Sequence, residues 1–299
     1  ILGLRFFGQG MLGHISMVFC GKWFFKNKGK AVAVANSGYT LAEAIMPTIF
    51  VALIGLLSWQ VSWYVSIIMS ILILASVRFL AKTERNKGTK PQKENQQVGM
   101  LKKSWKRSEM LRSWVFWAAV PGLMTSPMIT TTLFFHQVHL VEIKSWDLST
   151  YVLFIPAYSA ATLFSLYLIG YLVDKLSTKI ILPVFLFPLI SGLLLLSIAT
   201  SYLELLLIFI LLGLSAGAYI VVYGTFFPEF FGSLYLGSVR TVGVTIMVFS
   251  SAIGPVLSGY FIDLGYLIDH QFKFFAAFSV FASLLFLTIN LSVKLPENA

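Results

Sequence analysis

The chain has 299 residues, of which 58% are hydrophobic and only 11% are charged, and its formal net charge is +10. A soluble protein of this length could not bury so much apolar surface, so the composition excludes a soluble fold. A single cysteine excludes a disulfide framework. No group of Cys, His or acidic residues has metal-ligand spacing, so we predict neither a metal site nor a cofactor.

Apolar segments of about 20 residues recur along the whole chain, and each is long enough to cross a bilayer. They predict an all-α integral membrane protein with nine transmembrane helices. The predicted spans are 1–21, 31–57, 61–81, 113–135, 150–173, 180–199, 202–227, 239–262 and 273–293.

The basic residues are distributed unevenly between the connections. Most of them follow the first, third, fifth, seventh and ninth predicted helices, which is the pattern of cytoplasmic connections. The positive charge is therefore a topology signal, and no nucleic-acid partner is expected. It predicts a multi-pass protein of the cell (inner) membrane that lies in the lipid bilayer and whose C-terminus is cytoplasmic.

The first predicted helix carries three polar residues of interest. Arg5 and Gln9 share one face, whereas His14 is nine residues from Arg5 and therefore about half a turn away. Arg5 can attract an anionic substrate, pair with Glu43, or extend to the outer interface. His14 is either a protonation site coupled to transport or a hydrogen-bonded packing residue.

An internal repeat relates the first three predicted helices to the last three. Gly29 precedes Pro47 by 18 residues, and Gly237 precedes Pro255 by the same distance. We interpret the chain as the C-terminal fragment of a protein with two six-helix halves, as expected of a transporter built from repeats.

This repeat divides the chain into three parts. Residues 1–81 form a truncated N-terminal bundle of three helices, 82–112 a cytoplasmic linker, and 113–299 a six-helix C-terminal bundle. The end of the linker, Met100 to Arg112, is either a short interfacial amphipathic helix or a solvated tether.

The second predicted helix contains a carboxylate near its middle. Asn36, Thr40 and Glu43 fall on one face, and Pro47 follows one turn later. A charge at that depth is costly and usually faces a protein interior or a water-filled cavity. We therefore expect Glu43 to contribute to the substrate path or to proton coupling.

The fourth predicted helix contains two prolines, Pro121 and Pro127. Each removes a backbone hydrogen bond, and the freed carbonyls often line a cavity. Thr125 and Ser126 lie beside them, so this segment is either part of a substrate path or a kink needed for packing.

At the end of the fifth predicted helix, Gly170 is followed by Asp174, Lys175 and Ser177. This resembles a loop motif of the major facilitator superfamily, in which Asp follows Gly by four residues and basic residues come next. Ser177 stands where that family usually has a second glycine. Asp174 is either a gating residue or a simple helix-end charge.

Three further segments are similar to that family, in matching order. Arg5-Phe-Phe-Gly8 looks like its fourth helix, and Lys28-Gly29-Lys30 resembles its Arg-Gly segment before the fifth. Gly254-Pro255 to Gly259 is similar to its eleventh helix. The resemblance implies a twelve-helix, two-bundle carrier that works by alternating access. In such a carrier the two bundles rock about a central site, and a gating loop with Gly170, Asp174 and Lys175 helps close the cytoplasmic side.

The main hypothesis is a secondary transporter of a small solute such as an organic anion or monocarboxylate, coupled to a proton or another ion. The alternatives are a drug or metabolite efflux antiporter and, more remotely, a non-transporting membrane receptor. An enzyme is not expected, because no paired aspartates, HExxH motif or deep Ser and His pair occurs. His136 is expected to be solvated near the outer side, and Arg240 to be a topology charge at the cytoplasmic interface.

Overall fold

A computed structural model describes residues 11–24, 27–86 and 98–293, and within these ranges the regular secondary structure is helical, with no strand. The helices are α1 (Leu12–Trp23), α2 (Lys28–Leu56), α3 (Trp59–Asn86), α4 (Arg107–Met110), α5 (Trp114–Phe135), α6 (Gln137–Ile143), α7 (Leu148–Val152), α8 (Ile155–Leu176), α9 (Thr178–Ile181), α10 (Phe187–Ile198), α11 (Tyr202–Phe231), α12 (Leu236–Asp263) and α13 (Ile268–Ser292). Helices satisfy their own backbone hydrogen bonds, which is what a bilayer demands of an apolar segment.

Six of the helical segments are long and apolar enough to cross a membrane, and the chain is a multi-pass integral membrane protein. They lie in α3, α5, α8, α11, α12 and α13, as predicted. The predicted continuous span over 180–199 is wrong, because the chain leaves helix between α9 and α10. Pro183 lies at this break, where its missing N–H and its ring oppose a continuous helix. The Ser283 hydroxyl of α13 donates a hydrogen bond to the Pro183 carbonyl.

The described residues fall into two compact units. The larger unit contains the residues up to Thr40 and those from 98 onward, and the smaller unit contains Leu41 to Asn86. The division into two bundles and a linker stays a prediction.

Within the larger unit, α8 packs along α11 and α5 along α12, while α10 and α13 pack on each other. Glycines allow the closest approach: a methyl group on Gly213 or Gly217 of α11 would overlap the carbonyl oxygens of Tyr158 and Thr162 on α8. The core is therefore built from helices in backbone contact.

The smaller unit consists of the second part of α2 and the whole of α3. From Trp59 to Phe79 the side chains of α3 are apolar and almost all exposed. Its hydroxyls bond to its own backbone, as when Ser66 donates to the Ser62 carbonyl (2.9 Å) and Ser70 to the Ser66 carbonyl (2.8 Å). This surface is suited to an apolar environment.

The end of the linker is neither the amphipathic helix nor the solvated tether that the sequence suggested. Only the four residues of α4 are helical, and the segment before them pairs with the end of α11. The backbone N–H groups of Met100 and Trp105 donate to the carbonyls of Glu229 (2.7 Å) and Phe231 (2.9 Å). These carbonyls belong to the last turn of α11, where carbonyl groups have no hydrogen-bond donor within their own helix. The linker thus caps α11.

Glu109 fixes the turn that follows this cap. Its carboxylate accepts hydrogen bonds from the backbone N–H of Lys106 (2.8 Å) and from Lys103 Nζ (3.0 Å). These two donors lower the pKa of the Glu109 carboxyl, because both favour its charged form.

Candidate functional site

Two charged motifs are in contact: Lys28-Gly29-Lys30 at the start of α2, and the segment from Gly170 to Lys175 at the end of α8. Asp174, at the end of α8, accepts hydrogen bonds from the backbone N–H groups of Gly29 (2.7 Å) and Lys30 (3.0 Å). These N–H groups belong to the first turn of α2, where no intrahelical acceptor exists and where the helix dipole favours an anion. We call Gly29, Lys30 and Asp174 the latch, and the end of the molecule that contains it the basic end.

The latch forms because two glycines let α2 and α8 touch. A methyl group on Gly29 would overlap the carbonyl oxygen of Gly170, and one on Gly170 would lie 2.8 Å from the Gly29 carbonyl oxygen. Any larger residue at either position would push the helices apart and stretch the Asp174 hydrogen bonds. Gly170 and Asp174 thus lie together at one contact, as the motif suggested.

Lys175, the third predicted gating residue, does not pair with Asp174. Its ammonium lies over the ring of Tyr171, 4.6 Å from the centroid, and Lys30 lies 5.7 Å from the same ring. Such contacts at exposed positions contribute about 0.5–1 kcal/mol. Lys175 therefore flanks the latch.

Ser177 has the backbone conformation that the family motif implies for glycine. Its φ is +74°, in a region that side chains disfavour, and its hydroxyl is buried with no hydrogen-bond partner in the described part of the chain. The turn from α8 into α9 is therefore strained at this residue.

We expect Ser177→Gly to stabilise the protein by about 1 kcal/mol, because it removes both the side-chain clash and the buried hydroxyl. Ser177→Ala is the matched control, since it removes the hydroxyl alone and keeps the Cβ. Thermal unfolding in detergent gives the comparison. An equal or larger gain in Ser177→Ala would show that the backbone conformation is not the source of strain.

A buried carboxylate that the sequence analysis overlooked lies beside the latch. Glu229 of α11, whose side chain is only 1% exposed, forms an ion pair with Lys28 Nζ of α2 (3.2 Å). Its other oxygen accepts from the backbone N–H of Thr178 at the start of α9 (2.9 Å), and the Thr178 hydroxyl donates to that of Thr225 (2.6 Å). The signal in the sequence is an acidic residue after Pro228, at the end of a long apolar run.

The proline-containing helix α5 has its freed carbonyl satisfied from a neighbouring helix. Pro127 has no N–H to bond the carbonyl of Leu123, and the Tyr219 hydroxyl of α11 donates to that carbonyl instead (2.9 Å). Thr125 is buried and donates to the Gly122 carbonyl (2.7 Å), and Ser126 is also buried. The role of these residues in a substrate path stays a prediction.

Pro121 is the second proline inside α5, and it is partly buried. Next to it, a methyl group on Gly122 would overlap the ring of Phe286 on α13. This part of α5 is therefore in close contact with α13.

Gly254 and Pro255 lie where α12 contacts α5. A methyl group on Gly254 would lie 2.5 Å from the carbonyl oxygen of Met128. His136 Nε2, at the end of α5, is 3.0 Å from the Pro255 carbonyl oxygen. The expectation that His136 is simply solvated is therefore wrong, and its ring links the two helices.

Arg240 is not at an exposed interface as expected. It lies in the second turn of α12, is 4% exposed, and has its guanidinium carbon 5.2 Å from the centre of the Tyr223 ring on α11. The expectation failed because the depth of Arg240 was estimated from the apolar run, and α12 begins at Leu236, before that run.

Two of the predicted polar residues of α2 are bonded within the helix. The Asn36 amide donates to the Val32 carbonyl (2.7 Å) and contacts Met17 Sδ of α1 (3.5 Å). Thr40 is buried and donates to the Asn36 carbonyl (3.3 Å). Their hydroxyl and amide groups are thus already engaged in this conformation.

The remaining predicted site residues are Glu43, His14, Arg5, Gln9 and Pro47, and no described contact links them to the latch. Glu43 belongs to the smaller unit and is exposed, so its coupling role stays a prediction. His14 is partly exposed in a shallow depression on the surface of α1. Arg5 and Gln9 lie outside the described residues, as does the side chain of Pro47.

The site that the structure assembles is a contact of three helices at the basic end, where a bidentate carboxylate and a buried ion pair join α2 to α8 and α11. Residues 2–239 match the family model described as Major Facilitator Superfamily. No curated protein matches the chain. With this helical, multi-pass architecture, the chain belongs to the major facilitator superfamily, a family of secondary transporters.

Proposed function

We propose that the protein moves a small solute by alternating access and that the latch closes its basic end, the predicted cytoplasmic side. The observation that carries the gating proposal is the pair of hydrogen bonds from Gly29 and Lys30 to Asp174. They join residues 145 and 144 positions apart through contacts that involve only the surfaces of two helices. Such contacts can break as a unit when helices move as rigid bodies.

The neighbouring contacts support the same role. The Lys28 and Glu229 ion pair and the linker cap on α11 lie at the same end. Together they form a set of short polar contacts with little side-chain interdigitation at the glycine pair. A closed state held by such contacts can be stable and can still open when the helices move.

Cys20 provides a direct readout of this closure. It is the only cysteine of the chain, it is 5% exposed on α1 close to the basic end, and its thiol points to the Ala31 carbonyl of α2 (3.7 Å). A thiol reagent can reach it only when helices around it separate. Its labelling rate therefore reports opening without any knowledge of the substrate.

We expect Asp174→Asn to raise the rate of maleimide labelling at Cys20 about fivefold, because an amide has one acceptor oxygen and no charge for the α2 dipole. A fivefold change corresponds to about 1 kcal/mol in the opening equilibrium. Mass spectrometry of the peptide containing Cys20 measures the rate. Asp263→Asn, the same change at an exposed position of α12, is the control and is expected to leave the rate unchanged.

Transport itself is tested in liposomes that contain the full-length gene product. We propose that the solute is a small organic anion and that a proton accompanies it, with Glu43 in the coupling path. Internal pH is followed while carboxylates and drug-like cations are added, together with counterflow of labelled solutes. We expect proton movement with carboxylates and its loss in Glu43→Gln.

The other outcomes are equally informative. Proton movement that persists in Glu43→Gln would remove Glu43 from the coupling path. Proton movement with cations instead of carboxylates would favour the efflux antiporter. Ligand binding without flux or exchange of any solute would contradict transport.

A further inference from the structure

Arg240 is a buried cation whose guanidinium has unused donors. Its Nε and Nη1 are buried and have no hydrogen-bond partner among the described residues. No carboxylate in the described ranges lies within ion-pair distance of it, whereas Lys28 and Lys144 are paired with Glu229 and Asp269. The aromatic face of Tyr223 is its principal described contact.

Burial of the Arg240 charge costs free energy unless another group pairs with its guanidinium. An arginine inside a membrane protein usually pairs with an anion or with backbone carbonyls, because removing its charge from water costs several kcal/mol. The cation–π contact with Tyr223 offsets only part of this cost. A guanidinium also offers its donors as a planar fork that matches a carboxylate.

Arg240 lies close to α1, and we infer that it becomes accessible when the helices at the basic end separate. It lies on α12 against Tyr223 of α11, and α1 packs on both of these helices. At the same end, α1 is in tight contact with α12: a methyl group on Gly21 would lie 2.6 Å from Leu236. Separation of α1 from α12 would therefore uncover the guanidinium.

Two stacked aromatic rings lead from Arg240 toward the proline-containing part of α5. We call them the aromatic column. The rings of Tyr223 and Tyr219 are stacked with centroids 5.5 Å apart, and the Tyr219 hydroxyl reaches the Leu123 carbonyl that Pro127 leaves without a donor. The column joins the buried cation to the proline-containing segment of α5, one of the segments that the sequence analysis considered for a substrate path.

We propose that Arg240 binds the carboxylate of a small organic anion, which reaches it when the basic end opens. The guanidinium fork holds the carboxylate, and the Tyr223 ring fixes the plane of the fork. This assignment rests on the proposed transport function and gives its anionic solute a binding residue. It places the anion site on α12, distinct from the predicted sites at Arg5 and Glu43.

The test measures binding separately from transport. Thermal unfolding of the full-length protein in detergent is recorded with acetate, lactate and benzoate, and with choline and glucose as cationic and neutral probes at matched ionic strength. A ligand that binds only the folded state raises the melting temperature in proportion to its affinity. We expect at least one carboxylate to raise the melting temperature, and choline and glucose to have no effect.

The variants assign the effect to the guanidinium. Arg240→Gln should weaken the apparent affinity for the carboxylate at least tenfold, and Arg240→Lys should weaken it less because the charge remains. Arg112→Gln, the loss of an exposed arginine, should not change it. If Arg240→Gln does not fold, Tyr223→Leu serves as the second variant, since it keeps the charge and removes the ring that orients it.

Carboxylate affinity that is equal in Arg240→Gln, or in Arg240→Lys and Tyr223→Leu, would overturn the assignment. Counterflow of a neutral or cationic solute with no carboxylate binding would also overturn the assignment, but it would leave transport by alternating access supported. Conversely, Arg240-dependent carboxylate binding without counterflow of any solute would support the anion site and contradict transport.

Discussion

Replacing Gly29 with alanine is expected to open the basic end more than any other single methyl group. The new Cβ would overlap the Gly170 carbonyl oxygen and lie 3.1 Å from Asp174 Oδ1. A backbone oxygen cannot rotate away, so α2 and α8 must separate and both latch hydrogen bonds must lengthen. We expect labelling at Cys20 to accelerate at least tenfold, which is about 1.4 kcal/mol in the opening equilibrium.

Gly38→Ala is the matched control for this experiment. Gly38 lies on the same helix, and a methyl group there would meet nothing within 4 Å. Since alanine favours helix over glycine by about 1 kcal/mol, this variant should be slightly stabilised and should label at the wild-type rate. Equal labelling of Gly29→Ala and wild type would show that the glycine pair does not govern closure.

The parts of this fold that follow from local sequence were predictable. Long apolar runs predicted the membrane helices, and the family assignment from short motifs is confirmed. The break at Pro183 was missed because hydropathy counts a proline-containing apolar run as a single span. Ser177 illustrates the reverse case: it stands at a glycine position of the family motif, and the structure shows that its φ is positive, which the sequence analysis did not predict.

The parts that depend on distant contacts were not predictable. Each half of the latch was recognised at its own helix end, but nothing in a single sequence states that Asp174 accepts from Gly29, 145 residues away. Glu229 and Arg240 were missed for a related reason. A charge beside an apolar run is ordinarily attributed to the membrane interface, and only the packing of neighbouring helices shows that these two are buried.

The ion pair between Lys28 and Glu229 is expected to have the largest effect on stability. Lys28→Met would leave the Glu229 carboxylate, whose side chain is 1% exposed, without a counter-charge and with only the Thr178 N–H as a donor. Breaking a buried pair from one side costs about 3 kcal/mol. We expect a corresponding fall in the free energy of unfolding in detergent, together with faster labelling at Cys20 because the pair joins α2 to α11.

Two further variants separate the loss of the pair from other consequences. In Lys28→Met with Glu229→Gln the buried charge is absent and an amide oxygen can still accept from Thr178, so most of the lost stability should return. Lys144→Met breaks the partly exposed ion pair with Asp269 and should lower stability while leaving Cys20 labelling unchanged, because that pair joins the α6 end to α13. A double variant no more stable than Lys28→Met would show that the loss of the pair, rather than the uncompensated carboxylate, causes the destabilisation. Labelling that rose equally in Lys144→Met would show that Cys20 reports general loosening, and the case for a gate at the basic end would then depend on Gly29→Ala compared with Gly38→Ala.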